Sequence, residues 1–176
     1  LPPIHSPEMA PLKALLEEAS ETIDRTDAQV IAAHILGVNR AYLMTHPMRF
    51  ITETEDARIN LAVAQRALGR PVAYIVEKRE FYGRDFIVTP EVLIPRPETE
   101  TLVEAVLERL PPDGACLELG TGSGAIAVTL ACERPQARIT ATDSSPGALA
   151  IARRNAERHG MASRIDLRAG AWYAAL

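Results

Sequence analysis

The run Leu117-Glu118-Leu119-Gly120-Thr121-Gly122-Ser123-Gly124-Ala125-Ile126-Ala127-Val128 constrains this chain more than any other. A short apolar segment passes, through five residues with glycine at every second position, into another apolar segment. Glycine enters left-handed backbone conformations without steric cost and lets a ligand come close to the peptide groups. The pattern therefore predicts a strand, a tight turn, and a helix whose first N–H groups point at whatever the turn holds. Nineteen residues after Gly124, at the end of a second extended run (Ala137 to Asp143), stands an acid, Asp143. A carboxylate at that spacing suits hydrogen bonds from two ribose hydroxyls, so the two features together predict a nucleoside site. The plain alternative is a tight turn with an incidental surface aspartate.

The kind of nucleoside follows from charge. Read with Ala125, the turn also fits the dinucleotide pattern GxGxx(G/A), which keeps NAD open. Glu118, two residues before the first glycine, lies in a strand expected to be buried on both faces, where an unpaired charge is costly. It would repel a pyrophosphate and attract a cation such as the ammonium and sulfonium of S-adenosylmethionine. A salt bridge from Glu118 to a neighbouring helix is the structural alternative.

Before the turn, residues 1 to about 70 read as a bundle of about four helices. Ser6-Pro7-Glu8 looks like a helix start ahead of Met9, Leu12, Leu15, Leu16 and Ala19. Thr26-x-x-Gln29 reads as a capping box before Val30, Ile31 and Ile35, with Gly37 as the stop. Asn39 caps a short helix ending before Pro47. Thr52-x-x-Glu55 opens the next, with Ile59, Leu61, Ala64 and Leu68 inward. Then the period changes: Tyr74-Ile75-Val76 and Phe86-Ile87-Val88 read as two extended runs about Tyr82-Gly83-Arg84-Asp85, a hairpin. A proline-punctuated loop leads to a helix with Leu102, Val103, Val106, Leu107 and Leu110 inward. From Cys116 the pattern is strand, helix, strand, helix, strand, the opening of a parallel α/β sheet. Open sheets of this class usually carry about five or more strands and this one has room for about three, so the C-terminal part of the protein is expected to lie outside this sequence.

Charge and composition exclude other classes. A net charge of −4 argues against gripping a phosphate backbone, so no nucleic-acid contact is expected. No apolar run approaches the roughly 18 residues of a membrane span, and no signal-peptide pattern opens the chain. The two cysteines, Cys116 and Cys132, lack metal spacing and are expected to be buried free thiols in a reducing cytoplasm. His5, His34, His46 and His159 are scattered and read as surface or satisfied core residues; no metal site is expected.

In order, "EFYGRDFIVTPEVLIPRPETETLVE", "CLELGTGSGAIAVTLA", "ATDSSPGALAIARRNAERHG" and "RAGAWY" resemble the HemK/PrmC protein-(glutamine-N5) methyltransferases. "LIPRPETE" about twenty residues before the glycine turn is the specific part; the turn alone is common to most class I methyltransferases. The resemblance implies an α/β protein: a small helical bundle (1–70) that recognises the substrate, a β-hairpin linker (71–95), and the start of a Rossmann-like methyltransferase sheet (96–176). It implies S-adenosyl-L-methionine as cofactor and the GGQ glutamine of a peptide-chain release factor as substrate, in a monomeric cytoplasmic enzyme. Gly120, Thr121, Gly122, Ser123 and Gly124 would surround the methionine moiety, with Glu118 beneath. Asp143 would hold the ribose, and Trp172 would lie near the adenine, unless it serves ordinary core packing. Arg96, Pro97, Glu98 and Thr99 would form a loop over the cofactor and line the substrate's approach, though Arg96 and Glu98 also suit plain helix-start electrostatics. Two departures stand out: Glu77 replaces a usual glycine before "EFYG", and the family's NPPY motif, which holds the substrate amide, is absent. No catalytic residue is therefore assigned in this chain. An amino-methyltransferase of the same fold acting on nucleic acid, and a non-catalytic release-factor-binding module, are the alternatives.

Overall fold

The computed structural model describes residues 10–175, and the chain divides into two compact units, Leu1–Val76 and Glu77–Leu176. The first unit is helical: α1 (Leu12–Thr22), α2 (Arg25–Leu36), α3 (Arg40–Thr45), α4 (Glu53–Ala67) and a single turn, α5 (Val72–Ile75). The expected start at Ser6-Pro7-Glu8, and Met9 with it, lies outside the described residues. Helix α1 opens after Pro11 without a side-chain cap, because its first amides find carbonyls elsewhere: Leu12 N–H donates to Arg49 at 2.8 Å and Lys13 N–H to Pro47 at 2.9 Å. Leu12, Leu15 and Ala19 meet Ala28, Ala32, Leu43, Ile51, Ile59 and Val63 in one core.

Three expected caps are present: Gly37 is left-handed at the end of α2, Asn39 accepts from the Tyr42 amide, and Thr52 with Glu55 forms the reciprocal box. Two expectations fail. Asp24, not Thr26, caps α2, accepting from the Thr26 and Asp27 amides; Gln29 is instead buried and takes a hydrogen bond from Arg40. In α4 the inward stripe is Ile59, Ala62 and Val63, while Leu61, Ala64 and Leu68 (90% exposed) face out. The small alanine is the better fit because α1 and α2 both pack on this helix.

Tyr74-Ile75-Val76 is not a strand. Pro71 (φ −58°) leads into the α5 turn, closed by the Val76 amide on the Val72 carbonyl. A three-residue apolar run has no period to distinguish strand from helix. The second unit's hairpin is β1 (Lys78–Phe81) and β2 (Arg84–Ile87), in register Phe81↔Arg84 and Lys78↔Ile87. Its two-residue turn, Tyr82-Gly83, has both φ values positive, the primed geometry that matches strand twist. Phe81 and Phe86 (0% exposed) meet edge to face in the core of this unit. Helix α6 (Thr99–Arg109) follows, burying Val103 and leaving Leu102 52% exposed, against expectation.

Beyond α6 the chain alternates as expected: β3 (Ala115–Leu119), α7 (Ala125–Glu133), β4 (Arg138–Asp143), α8 (Pro146–Arg158), β5 (Ile165–Ala169), then a 3-10 turn at Trp172–Ala175. The strands are parallel in the order β3-β4-β5. Strand β3 was expected to be buried on both faces; it is an edge strand among the described residues and stays partly exposed. Glu77, just before β1, has φ 51°. A side chain there strains the backbone by about 1 kcal/mol, which explains why glycine suits the position. Replacing Glu77 by Gly should raise stability by about 0.5–1 kcal/mol in urea denaturation. Phe86→Ala should cost about 3–5 kcal/mol by the same measurement.

Candidate functional site

The turn from β3 to α7 is built from the inside. Gly120, Gly122 and Gly124 have φ of 76°, 54° and 77°, so each needs the left-handed region. Thr121 and Ser123 between them are buried, with side chains turned into the protein. No heavy atom would meet a Cβ on Gly120 or Gly122 within 4 Å. Their side of the turn is therefore bare backbone facing open space. Gly124 differs: its missing Cβ makes room for helix α8, where Ala152 would stand 3.1 Å away.

Strand β4 holds the turn in place. The Thr142 carbonyl accepts from both the Gly120 and Thr121 amides, at 2.8 and 2.9 Å. Asp143, next in the strand, accepts from the Gly122 amide through Oδ2 and from the Ser145 amide through Oδ1, each at 2.9 Å. Ser145 in turn caps α8, accepting from the Ala148 amide. Each Asp143 oxygen keeps lone-pair capacity for one more donor, so a pair of neighbouring hydroxyls can be received beside the turn.

Glu118 lies beneath the turn. Its Oε2 accepts from the Thr121 hydroxyl at 2.8 Å and from the Ala127 amide in the first turn of α7 at 3.0 Å. The residue as a whole is partly exposed because β3 is an edge strand, but the carboxyl is enclosed. Burial pushes its pKa up to about 7, Asp143's charge adds to the rise, and the two hydrogen bonds oppose it. Glu118 is in no salt bridge with a helix among the described residues; its Oε2 braces the turn.

The other expected residues are placed less tightly. Arg96, Pro97 and Glu98 are exposed, and Thr99 is the half-buried first residue of α6; no hydrogen bond ties them to the turn among the described residues. The same loop does reach the site's edge through Glu91, whose carboxylate occupies the space a Cβ on Gly147 would need. Trp172 is 74% exposed. Its segment starts beside Asp143, whose carbonyl accepts from the Gly170 amide. Sequence reasoning missed Asn155 and Glu100. Glu100 accepts from the Tyr82 amide and fixes the hairpin turn; Asn155 is wholly buried against Ser123 and Ile87. A polar residue on the apolar stripe of α8 was the available signal.

A parallel sheet with bare glycine peptides at its carboxyl edge and an acid closing the next strand defines a Rossmann-like, nucleoside-binding sheet. Comparison with known proteins narrows this. The PrmC N-terminal domain model matches residues 10–76, and the methyltransferase small domain model matches residues 97–175. A protein named release factor glutamine methyltransferase from Xylella fastidiosa is 48% identical over 93% of this chain and 60% of its own length. Proteins of the same name from Koribacter versatilis (51%, 81% of this chain, 52% of its own) and Bordetella pertussis (46%, 96% and 62%) are similar. The chain resembles proteins of this name along most of its length, and it spans about half to three fifths of the length of these relatives. A solved SAM-dependent methyltransferase from Geobacter sulfurreducens, in complex with S-adenosyl-L-homocysteine, is 33% identical over 43% of this chain and 29% of its own, with a TM-score of 0.36, a likeness too partial to carry an argument.

The raised pKa of Glu118 has a stability consequence of definite sign. Folded protein binds its proton more tightly than unfolded protein does, so stability falls as pH rises from about 4.5 to about 7 and is level above. The penalty at about pH 8 is up to about 3 kcal/mol. Glu118→Gln copies the protonated acid. It should be more stable than the parent at about pH 8 by up to that amount, with the difference vanishing below about pH 4, in denaturation curves across pH.

Proposed function

We propose that the second unit binds S-adenosyl-L-methionine, and that the whole protein uses it to methylate the side-chain amide nitrogen of the GGQ glutamine in a peptide-chain release factor. The observation that carries the reading is the row of left-handed glycines, bare on one side, next to an aspartate with acceptor capacity left. The names of the similar proteins support it.

The residues fit the cofactor. Gly120 to Gly124 hold the methionine moiety against bare peptide groups. Asp143 receives the ribose hydroxyls, and Trp172, with its ring exposed, lies toward the adenine. When bound, the cofactor supplies an electrophilic methyl carbon on a positively charged sulfur. Glu118, in its ionised form, repels a pyrophosphate and attracts a cation, which favours S-adenosyl-L-methionine over NAD. In this reading the Arg96-Pro97-Glu98-Thr99 loop lines the substrate's approach to the cofactor, stiffened by Pro95 and Pro97. The amide nitrogen is a weak nucleophile, so orientation of the substrate does most of the catalytic work, and no strong base is needed. Groups that orient it are not assigned to this chain.

The first unit is the release-factor dock of the proposal. A cleft of about 420 Å³, with Leu16, Leu43, Met44 and Pro47 beside charged residues such as Lys13, Glu17 and Arg25, supports that role. No helix among the described residues is long and apolar enough to cross a membrane; a cytoplasmic monomer suits a translation enzyme.

Titration of S-adenosylhomocysteine into this chain, followed by calorimetry, tests the reading. Saturable binding is expected. Gly122→Ala should keep the fold at a cost of about 1 kcal/mol and weaken binding by at least about tenfold, since its methyl group enters open space at the ligand's side. NADH binding with no response to the homocysteine product would sink the proposal. For the full-length protein, a one-methyl mass gain on the release-factor glutamine peptide is the corresponding result.

A further inference from the structure

We infer that Asn155 is a positioning residue for the glycine turn, locking the turn and strand β2 into one piece from the side away from the ligand. This rests on the reading of the turn as the cofactor's seat.

Asn155 lies on the apolar stripe of α8 with Ala148, Ile151, Ala152 and Ala156, and is 0% exposed. A buried carboxamide must have its hydrogen bonds met. Oδ1 accepts from the Ile87 amide at 2.7 Å, and Nδ2 donates to the Ile87 carbonyl at 2.9 Å and to the Ser123 carbonyl at 2.8 Å. Both Nδ2 protons are used. Only one orientation of the amide works, because the flipped one would set its oxygen against two carbonyls and its NH2 against an N–H.

The partners give the residue its meaning. Ile87 is on the outer strand of the hairpin, and Asn155 engages both its backbone groups as a neighbouring strand would. One turn later on α8, His159 bonds the Asp85 carbonyl through Nε2 at 3.0 Å and packs on the Phe86 ring. Helix α8 thus covers an otherwise open strand edge. The third bond goes to the turn. The peptide joining Ser123 to Gly124 is pinned at both ends, its carbonyl by Asn155 and its N–H by the Thr121 carbonyl at 2.8 Å. That peptide leads directly into α7, so its tilt sets where the first amides of α7 point. Ala152, one turn before Asn155, fills the space left by the missing Cβ of Gly124. The Asn155 side chain therefore ties the hairpin to the turn.

The test compares Asn155→Ala and Asn155→Asp with His159→Ala, which loosens the same hairpin without touching the turn. Asn155→Asp keeps an acceptor for the Ile87 amide and loses both donors. Calorimetric titration with S-adenosylhomocysteine is paired with amide hydrogen exchange at Ile87, Gly122 and Gly124. In both Asn155 variants, exchange should quicken at the turn amides, and affinity should fall about tenfold, the scale of one buried hydrogen bond. With His159→Ala, turn exchange and affinity should stay within about twofold of the parent even where stability drops. Folded Asn155 variants with parental turn exchange and affinity would overturn the inference; so would a His159→Ala variant that loses affinity equally, which would mean general loosening. Should both Asn155 variants fail to fold, the parent decides: slow exchange of both Nδ2 protons, with couplings across to the Ser123 and Ile87 carbonyls, is expected, and a fast-exchanging side chain defeats it. If the parent itself binds no S-adenosylhomocysteine, the cofactor reading has failed, and the exchange data still decide whether Asn155 joins turn to strand.

Discussion

Everything in the second unit answers to one constraint: five residues must carry the chain from the end of a strand into a helix while leaving one side of the backbone uncovered. A turn so exposed has to be tied down from within. The Thr142 carbonyl takes two of its amides, Asp143 a third, Glu118 the Thr121 hydroxyl and the start of α7, and Asn155 the Ser123 carbonyl. Side chains at 121 and 123 point inward because the glycines on either side of each turn the chain left-handed, so sequence alternation becomes an inside and an outside. The openness useful for holding a ligand and the internal hydrogen bonds are two faces of the same geometry.

Much of this was legible beforehand. Gly120 to Gly124, Asp143, and the helix ends at Gly37, Asn39 and Thr52 are recognised by local chemistry: a conformation that only glycine enters freely, or a side chain that reaches its own backbone. What escaped depends on contacts between distant segments. Tyr74 to Val76 could be strand or turn until Pro71 and the hairpin register settled it. Leu61 and Leu68 looked inward by hydrophobicity, yet close helix packing in the first unit selected Ala62. Asn155 was not singled out; the strand 68 positions earlier and the Ser123 carbonyl explain it.

Glu118 carries a duty that its place in the strand did not announce: its Oε2 braces the turn from beneath. The same enclosure that makes it a good internal acceptor makes its charge expensive. Structural duty and electrostatic influence meet in one carboxyl.

That carboxyl also gives the site a proton account. With a pKa of about 7 it is partly protonated at neutrality. A positively charged guest settling above it favours the ionised form, so association releases a fraction of a proton into the medium. The heat of binding then includes the buffer's heat of protonation: in phosphate and in Tris the same encounter would register different enthalpies, and the gap between them would count the protons expelled.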